Sequence, residues 1–449
     1  MIPLEPLREI AEKCVRCGIC QSVCPVFAEI QKESAVARGK VTLIRKLLSK
    51  ETGYSRKLST YLLQCLGCGA CSENCPNGVR ADELILAARA LMVEKKGLSL
   101  PKWVFLRGIL RSVSLLPLLL KTGSLLQGLL LKKIPEQSGL HLRFSLPYLD
   151  KDRFIPTTAH PFFLDRYPEE VHPDPPLLTS SSKAGLRAVD RDSEEVKAEN
   201  AIGRIGLFAG CSINYLYPSV GESTIRLLTR NRTSVALPKD QACCGLPAYG
   251  SGDLETAKSL ALRNVEAFDR KDLEQIMVPC GSCFYFLKEG YLKLFPNDER
   301  VRAFSRKIVE PSTFFLKQMD RSPIGNAPQD EHQKIRLTYH DPCHMKRGMK
   351  IYQEPRRLLQ ASQEIEWVEM KQPNRCCGMA GSFNFVYYDL SRKILNRKID
   401  DIEATGADCV ATSCMGCLIQ LKDGIHQRNL GTRAVHFVEL LEKAFPKGE

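Results

Sequence analysis

Residues 14–25, CVRCGICQSVCP, carry four cysteines in the spacing C-x2-C-x2-C-x3-C, followed by a proline. The same pattern returns at residues 65–76 as CLGCGACSENCP. A cubane [4Fe-4S] cluster needs one thiolate for each iron, and three closely spaced cysteines can wrap three of its corners. In two-cluster ferredoxins the fourth cysteine of each motif binds the other cluster. The two motifs therefore predict a ferredoxin-type module with two cubane clusters.

The crossed pattern fixes the predicted ligands. The first cluster is expected to bind Cys14, Cys17, Cys20 and Cys75. The second is expected to bind Cys65, Cys68, Cys71 and Cys24. The alternative is structural zinc, which normally uses two C-x2-C pairs separated by a longer loop and gives the terminal proline no role. The complete repeat of the motif favours iron–sulfur clusters.

The composition favours metal binding over disulfide bonds. Of the 449 residues, 44% are apolar, which is enough to build sizeable cores without covalent cross-links. The nineteen cysteines are an odd number, and the first residues show no secretory signal. Because thiols stay reduced in the cytoplasm, we expect a cytoplasmic metalloprotein.

The formal net charge is +13. No basic run is interleaved with aromatic residues and no DNA-binding motif is present, so we expect no nucleic-acid partner. Two other interpretations stay open. The positive charge can favour contact with an anionic membrane surface, or it can offset the negative charge that thiolate-bound clusters add.

The remaining cysteines reveal an internal duplication. A pattern C-x31-CCG-x34-C-x2-C is followed by a second copy whose gaps differ by at most one residue. The first copy contains Cys211, Cys243, Cys244, Cys280 and Cys283. The second contains Cys343, Cys376, Cys377, Cys414 and Cys417. Cys409 lies outside the pattern, and we predict that it is a small buried side chain.

Short β-type runs precede these cysteines, and helical patterns separate the runs. Strands that alternate with helices indicate a parallel sheet in each copy. The predicted metal ligands then follow the carboxyl ends of strands, where open α/β sheets place their sites. Helices that begin in these loops direct N–H groups toward an anionic cluster.

The predicted fold is an α+β multidomain chain, with a helical two-cluster ferredoxin-type domain followed by two repeated α/β domains. Because each copy contains a Cys-Cys-Gly sequence, we call these two CCG domains. The predicted boundaries are 1–97 for the ferredoxin-type domain, 98–166 for a leucine-rich helical connector, 167–200 for a linker, 201–320 for the first CCG domain, 321–334 for a second linker and 335–449 for the second CCG domain.

The connector includes a leucine-rich stretch over residues 103–133 with basic residues at both ends. Pro117, Lys121 and two glycines weaken it as a membrane-spanning helix. We favour packing on the protein's own core or on a partner subunit. An interfacial amphipathic helix and a true span are the alternatives.

The sequence resembles a known family at GCSINYLYPSVG (210–221), CCGLPAYGSGD (243–253), YHDPCH (339–344) and RCCGMAGSF (375–383). It is similar to the CCG-domain subunits of heterodisulfide reductases, glycolate oxidase, anaerobic glycerol-3-phosphate dehydrogenase and lactate-oxidising relatives. The resemblance covers nearly the whole chain. It implies one or two further clusters of the noncubane [4Fe-4S] type, one held by each set of five cysteines.

Other candidate residues lie beside these motifs. His340 and His344 flank Cys343 and could donate hydrogen bonds to cluster sulfur, or they could serve ordinary turn and cap roles. Arg375 could offset cluster charge. No nucleotide-binding glycine fingerprint or phosphate loop is found, and no catalytic residue is assigned.

The resemblance implies an iron–sulfur electron-transfer subunit of a membrane-associated dehydrogenase complex. Its expected donor is a flavoprotein subunit that oxidises glycolate, lactate or glycerol 3-phosphate, and its expected acceptor is a quinone, a membrane subunit or another carrier. The expected location is peripheral, on the inner face of the cell membrane. A heterodisulfide reductase-type catalytic subunit is the runner-up, and a zinc-stabilised scaffold is a third hypothesis.

Overall fold

A computed structural model describes residues 5–112, 114–133, 139–142, 153–173, 203–270, 272–321 and 334–444. The N-terminal part is helical, and the two C-terminal parts each contain a largely parallel sheet flanked by helices. The predicted α+β multidomain class is therefore confirmed.

The N-terminal module packs its helices around a small apolar core. The amphipathic helix Ala37–Leu48 buries Val41 and Ile44, and it lies against the helix Ala81–Lys96, which buries Leu84 and Leu91. Short helices start within or directly after each cysteine motif. The helices of this module are Glu5–Glu12, Ile19–Val23, Pro25–Ile30, Ala37–Leu48, Arg56–Leu63, Ala70–Glu73 and Ala81–Lys96, with a 3-10 turn at Glu33–Ala35.

The predicted connector is helical only in its first half. Helices Leu100–Trp103, Val104–Leu110 and Leu115–Leu130 are followed by a three-stranded antiparallel sheet. Its strands are β1 (Leu131–Lys133), β2 (Gly139–Leu142) and β3 (Ile155–Pro156), and a short helix Phe163–Arg166 follows. No single described helix has the length and apolarity to cross a membrane. Leu100–Leu110 and Leu115–Gly123 reach that length only as a pair, bent by 103°.

The two CCG domains share one sheet topology. The first has strands β4 (Glu170–Val171), β5 (Gly203–Leu207), β6 (Thr233–Ala236), β7 (Gln275–Met277) and β8 (Ile308–Val309) in the order β4-β6-β5-β7-β8. The second has β9 (Ile335–Tyr339), β10 (Ile365–Trp367), β11 (Cys409–Thr412) and β12 (Arg433–His436) in the order β10-β9-β11-β12. All pairs are parallel except β4 with β6. Apart from β4, the strand order is the same in both domains, as an internal duplication requires.

Strand β4 lies inside the segment that the sequence predicts to be a linker. The rest of that segment from residue 174 onward, and residues 322–333 of the second linker, lie outside the described residues. The helices of the first CCG domain are Gly210–Tyr215, Pro218–Arg230, Leu246–Ser251, Leu254–Ala267, Gly281–Tyr285, Phe286–Gly290, Tyr291–Leu294, Glu299–Lys307 and Pro311–Arg321. Those of the second are His344–Met349, Glu354–Gln360, Ser382–Val386, Tyr388–Glu403, Met415–Gln427 and Phe437–Ala444.

The two CCG domains bury a common apolar core. Helix Pro218–Arg230 of the first packs on helix Phe437–Ala444 of the second. Arg226 and Arg230 both pair with Glu442, at 3.1 and 2.5 Å. This packing brings the carboxyl ends of strands from both sheets close together, which positions the cysteines.

Candidate metal centres

Each CCG cysteine follows a strand of its sheet. Cys211 comes after β5, the pair Cys243–Cys244 after β6, and Cys280 after β7. The second domain repeats this arrangement after β9, β10 and β11. Cys280 and Cys414 occupy the N-cap positions of helices Gly281–Tyr285 and Met415–Gln427, so backbone N–H groups point toward both loops.

The glycine of each CCG sequence has a conformational role. Gly245 and Gly378 both adopt φ near +90°, where a side chain would be strained. A Cβ atom at Gly378 would also lie 2.8 Å from the Ser391 carbonyl oxygen. The left-handed turn lets both preceding cysteines face one site.

The two cysteine sets meet at the interface between the CCG domains. Gly281 N–H donates to the Ser413 carbonyl at 2.7 Å, and a Cβ atom at Gly281 would lie 2.6 Å from Met345 Cγ. The thiols of Cys280 and Cys414 are hydrogen-bonding neighbours across this contact. The two domains therefore present their sites to each other.

The thiols form a continuous series of neighbours. Cys211 Sγ lies 3.9 Å from Cys243 Sγ, and Cys377 Sγ lies 3.5 Å from Cys417 Sγ. The series of neighbouring thiols runs through Cys211, Cys243, Cys244, Cys283, Cys280, Cys414, Cys417, Cys377, Cys376 and Cys343.

This crowding separates the pKa values of neighbouring thiols. Hydrogen bonds from Cys243 and Cys283 lower the pKa of Cys244 to about 6. The hydrogen bonds to Cys244 and Cys280, with burial, hold the pKa of Cys283 well above its ordinary value. Buried thiolates require positive charge nearby. A bound soft metal would supply that charge, since thiolate is its preferred ligand.

All ten CCG cysteines line one cavity of about 330 Å³. Two ferredoxin-motif cysteines, Cys65 and Cys68, line it as well. The rest of its wall combines apolar side chains such as Leu246 and Met379 with polar ones such as Ser282 and His344, and with the cations Arg89 and Lys102. The cavity is therefore shared by three parts of the chain.

In the ferredoxin-type module the cysteines of the two motifs line two small pockets, and Cys71 lines both. One small pocket of about 30 Å³ is lined by Cys14, Cys17, Cys20, Cys71 and Cys75. A second of the same size is lined by Cys24, Cys65, Cys68 and Cys71. Cys24 reaches the second pocket as the N-cap of helix Pro25–Ile30, where its Sγ accepts from Phe27 N–H at 3.4 Å.

The module is joined to the second CCG domain beside these cysteines. The thiol of Cys68 lies beside that of Cys376. Arg347 donates to the Cys68 carbonyl at 3.3 Å and to the Asn374 carbonyl at 2.9 Å, and it pairs with Glu73 at 3.1 Å. One guanidinium thus holds the two parts together at the point where their thiols meet.

Comparison with known proteins agrees with this architecture. The profile of the cysteine-rich CCG domain matches residues 205–288 and 337–422, and that of the 4Fe-4S dicluster domain matches residues 10–79. A Bacillus subtilis protein named "Probable glycolate oxidase iron-sulfur subunit" is 30% identical over 438 residues, which are 96% of this chain and 93% of the relative. The chain belongs to the CCG-domain iron–sulfur subunit family.

Other members of this family match part of the chain. Lactate utilization protein A of an Exiguobacterium species is 30% identical over 53% of this chain and 97% of its own length. A fumarate reductase (CoM/CoB) subunit of Methanothermobacter marburgensis is 29% identical over 62% of this chain and 54% of its own length. These relatives confirm an iron–sulfur, redox-related role and imply partner subunits.

Two buried cations beside the second pocket of the ferredoxin-type module show whether its surroundings suit an anionic cluster. Lys40 is 1% exposed, lines the second pocket and donates to the Ala35 carbonyl. Arg89 is 7% exposed and donates to the carbonyls of Leu62, Cys65 and Gly250. Neither pairs with a carboxylate in the described part of the chain.

Burial lowers the pKa of both Lys40 and Arg89, while the nearby Cys65 acts in the opposite direction. Asp82, the carboxylate in the same pocket, accepts from Ser72 instead of pairing with Lys40. A buried charge without a counter-charge is costly. A thiolate-ligated cluster, which is anionic, supplies the missing charge, so the residues present fit this group. Sequence reasoning missed both cations, because nothing in the local pattern marks them as buried.

His340 is fully buried, and its ring interacts with the thiol of Cys377. One of its nitrogens lies within 4.8 Å of the sulfurs of Cys377 and Cys417. The ring is thus placed to contact whatever the second CCG site binds. His344 instead shares a 3.0 Å contact with Ser282 Oγ and stacks on Tyr285 at 4.8 Å.

Two further residues singled out in the sequence, Arg375 and Cys409, make contacts outside the cysteine series. Arg375 pairs with Asp401 at 3.5 Å and donates to the Arg397 carbonyl, so its charge is taken up away from the cysteines. Cys409 begins β11 and is 2% exposed, and burial raises its pKa to about 12. It is a buried thiol outside the site, as predicted.

Proposed function

We propose that the chain is the iron–sulfur electron-transfer subunit of a dehydrogenase complex. The observation that carries this proposal is the series of neighbouring thiols from Cys211 to Cys376, which continues into the module at Cys68. Sites built from these thiols lie side by side. Such contiguity suits one-electron transfer through the molecule.

The proposed donor is a separate flavoprotein subunit that oxidises a 2-hydroxy acid, either glycolate or lactate, or glycerol 3-phosphate. A 2-hydroxy acid loses two electrons and two protons to become a 2-oxo acid. The same electrons finally reduce a quinone, which takes up two protons to become a quinol, or reduce another carrier. Bound clusters would supply one-electron redox chemistry between these two reactions.

The chain's own residues would hold and insulate the clusters. The ligands we propose are the eight module cysteines in their crossed sets and the five cysteines of each CCG domain. Lys40 and Arg89 would stabilise the added negative charge of a reduced cluster at the second pocket. Cys17 is exposed, and Val15 and Ile19 beside it are also exposed. This edge of the first pocket would be the electron entry point for a docked partner.

A second candidate, a heterodisulfide reductase-type catalytic subunit, is favoured by one observation. Cys280 and Cys414 bring the two CCG sites together around a shared cavity. A disulfide placed there would take two electrons and two protons to give two thiols, with the electrons supplied through the module.

The test uses the full chain purified without oxygen from a host that assembles clusters. Iron and sulfide are expected near four each per site, with paramagnetic signals after dithionite reduction. Glycolate, lactate and glycerol 3-phosphate are expected to reduce the chain only when the flavoprotein is added. Substrate oxidation by the isolated chain, or an iron-free colourless preparation, would overturn the proposal. Spectral change on adding a disulfide would favour the second candidate.

A further inference from the structure

The two helices Leu100–Leu110 and Leu115–Gly123 carry the largest share of exposed apolar surface. Eleven large apolar side chains are exposed in the described part of the chain, and seven of them lie on or beside these helices. Six of these form what we call the connector face: Leu100, Trp103, Val104, Phe105, Leu118 and Leu119. Clustered apolar exposure of this kind marks an interaction surface.

Contacts between the opposite side of the helix and the first CCG domain fix the orientation of the connector face. Leu106 and Leu110 are buried in the core of the first CCG domain, at 2% and 7% exposure. Arg107 donates two hydrogen bonds to the fully buried Asp253, at 3.1 and 3.3 Å. Arg111 pairs with Glu255 at 3.2 Å. Because these contacts hold the inner side, the connector face points away from the protein.

The segment that carries this face is basic. Residues 95–135 contain eight lysines and arginines and no aspartate or glutamate, and two of the eight, Arg107 and Arg111, are paired with Asp253 and Glu255. Arg56, Lys96 and Lys102 also line a cavity of about 370 Å³ beside the connector, and no carboxylate lines it. An exposed apolar face with an aromatic side chain and a basic surround is the pattern of a segment that lies in a lipid interface. Basic residues next to it attract anionic headgroups.

We propose that the connector face docks the chain onto a membrane surface that contains anionic lipid. Trp103, Phe105 and the leucines enter the interfacial layer. Lys96 and Lys102 hold phosphate groups at the mouth of the neighbouring cavity. The chain binds peripherally, in keeping with the absence of a membrane-crossing helix among the described residues.

Membrane docking goes beyond the proposed electron-transfer function and does not depend on it. It is tested by flotation of the cluster-loaded chain with vesicles of phosphatidylcholine, alone or with about 30% phosphatidylglycerol. The chain is expected to float with the anionic vesicles and to be released by salt. Failure here leaves the redox proposal standing, and failure of the redox assays leaves this proposal standing.

Three variants make the test specific. Trp103→Ser with Phe105→Ser is expected to weaken vesicle binding by about tenfold or more, because both rings leave the interface. Lys96→Gln with Lys102→Gln is expected to weaken it by about fivefold or more, on anionic vesicles only. Phe385→Ser is the matched control, since Phe385 is 66% exposed but lies outside the connector. Iron content and circular dichroism verify that each variant is folded.

The proposal is overturned if the wild-type chain stays with the soluble fraction at low salt. It is equally overturned if Phe385→Ser loses as much binding as the Trp103 variant. Loss of a co-purifying protein subunit from the Trp103 variant, without vesicle binding by the wild type, would identify a protein partner in place of lipid.

Discussion

The thiol of Cys68 in the dicluster module lies beside the thiol of Cys376 in the second CCG domain. Within the series of neighbouring thiols, the cysteines of the first CCG domain follow those of the second through the pair Cys280 and Cys414. The two CCG sites are therefore not equivalent. On the proposed function, electrons from the module meet the second CCG site before the first.

Arg347 is the residue that holds this junction. We expect Arg347→Met to destabilise the folded chain by about 2 kcal/mol, because two backbone carbonyls lose this donor and Glu73 keeps only Lys350 as a partner. It should also slow reduction of the CCG sites relative to the module, measured by rapid-freeze paramagnetic resonance. The control is Arg300→Met, whose side chain is 64% exposed beside Asp298, so its removal should have a much smaller effect on stability. Equal effects from both variants would contradict the assignment.

Arg89 should raise the reduction potential of a cluster in the second pocket. A nearby cation stabilises the more negative, reduced state, so Arg89→Gln is expected to lower that potential. The shift should be on the order of tens of millivolts, as for a weakly screened interaction of about 1–2 kcal/mol. A redox titration followed by paramagnetic resonance measures it. Arg89→Lys keeps the charge and should restore most of the potential; an unchanged potential in Arg89→Gln would refute the role.

His340 should affect the second CCG site alone. We expect His340→Ala to change the spectrum or the metal content of that site while the other three sites keep theirs, because its ring lies close to Cys377 and Cys417. Mössbauer spectroscopy and metal analysis provide the measurement. His172→Ala is the matched control, since that histidine contacts Ser234 at 3.0 Å, near strand β6 of the first CCG domain. The same spectral change in both variants would argue against a specific contact.

Two buried cysteines of the second CCG domain should behave differently. Cys417→Ala is expected to lower the iron content, since its sulfur lies in the thiol series. Cys409→Ala should leave iron content unchanged and cost about 1 kcal/mol of stability through the small cavity it creates. Metal analysis and urea unfolding distinguish the two. Loss of iron from Cys409→Ala would show that the site extends further than the structure indicates.

Lys398 should make stability depend on pH. Burial lowers its pKa to about 8, and its Nζ donates to the Gln372 carbonyl at 2.6 Å. In the unfolded chain the pKa is about 10.4, so between about pH 8 and 10.4 the unfolded state holds more protons. The contribution of Lys398 to stability therefore rises with pH across that window and is constant below it. Urea unfolding from pH 7 to 10 should show a smaller slope for Lys398→Met; an identical slope would rule this out.

Much of this architecture could be predicted from cysteine spacing. The matching gaps of the two CCG copies predict a repeated fold, and both sheets have the same strand order. This prediction is confirmed, because cysteine-bearing loops at strand ends tolerate little change in length. The crossed ligand sets of the module stay a prediction: Cys24 lines a pocket with Cys65, and Cys75 lines one with Cys14, but Cys71 lines both.

Features that depend on contacts between distant segments could not be predicted from the spacing of the cysteines. The meeting of Cys280 with Cys414, the buried cation Arg89 and the edge strand β4 all arise from packing between parts of the chain far apart in sequence. Arg375 is the opposite case: it precedes the second CCG sequence directly, but its side chain pairs with Asp401. In the connector, leucine content predicted helix, but the chain leaves the helix at Leu131 for an antiparallel sheet.

The burial of Arg89 between the module and the first CCG domain bears on how the protein matures in the cell. Its guanidinium donates to the carbonyls of Cys65 and Gly250. If the module packed on the first CCG domain before iron and sulfide were bound, this cation would be buried without a counter-charge. The assembly machinery is then expected to load the second pocket while the modules are still apart. In this order, insertion of the cluster would come before the module packs on the first CCG domain.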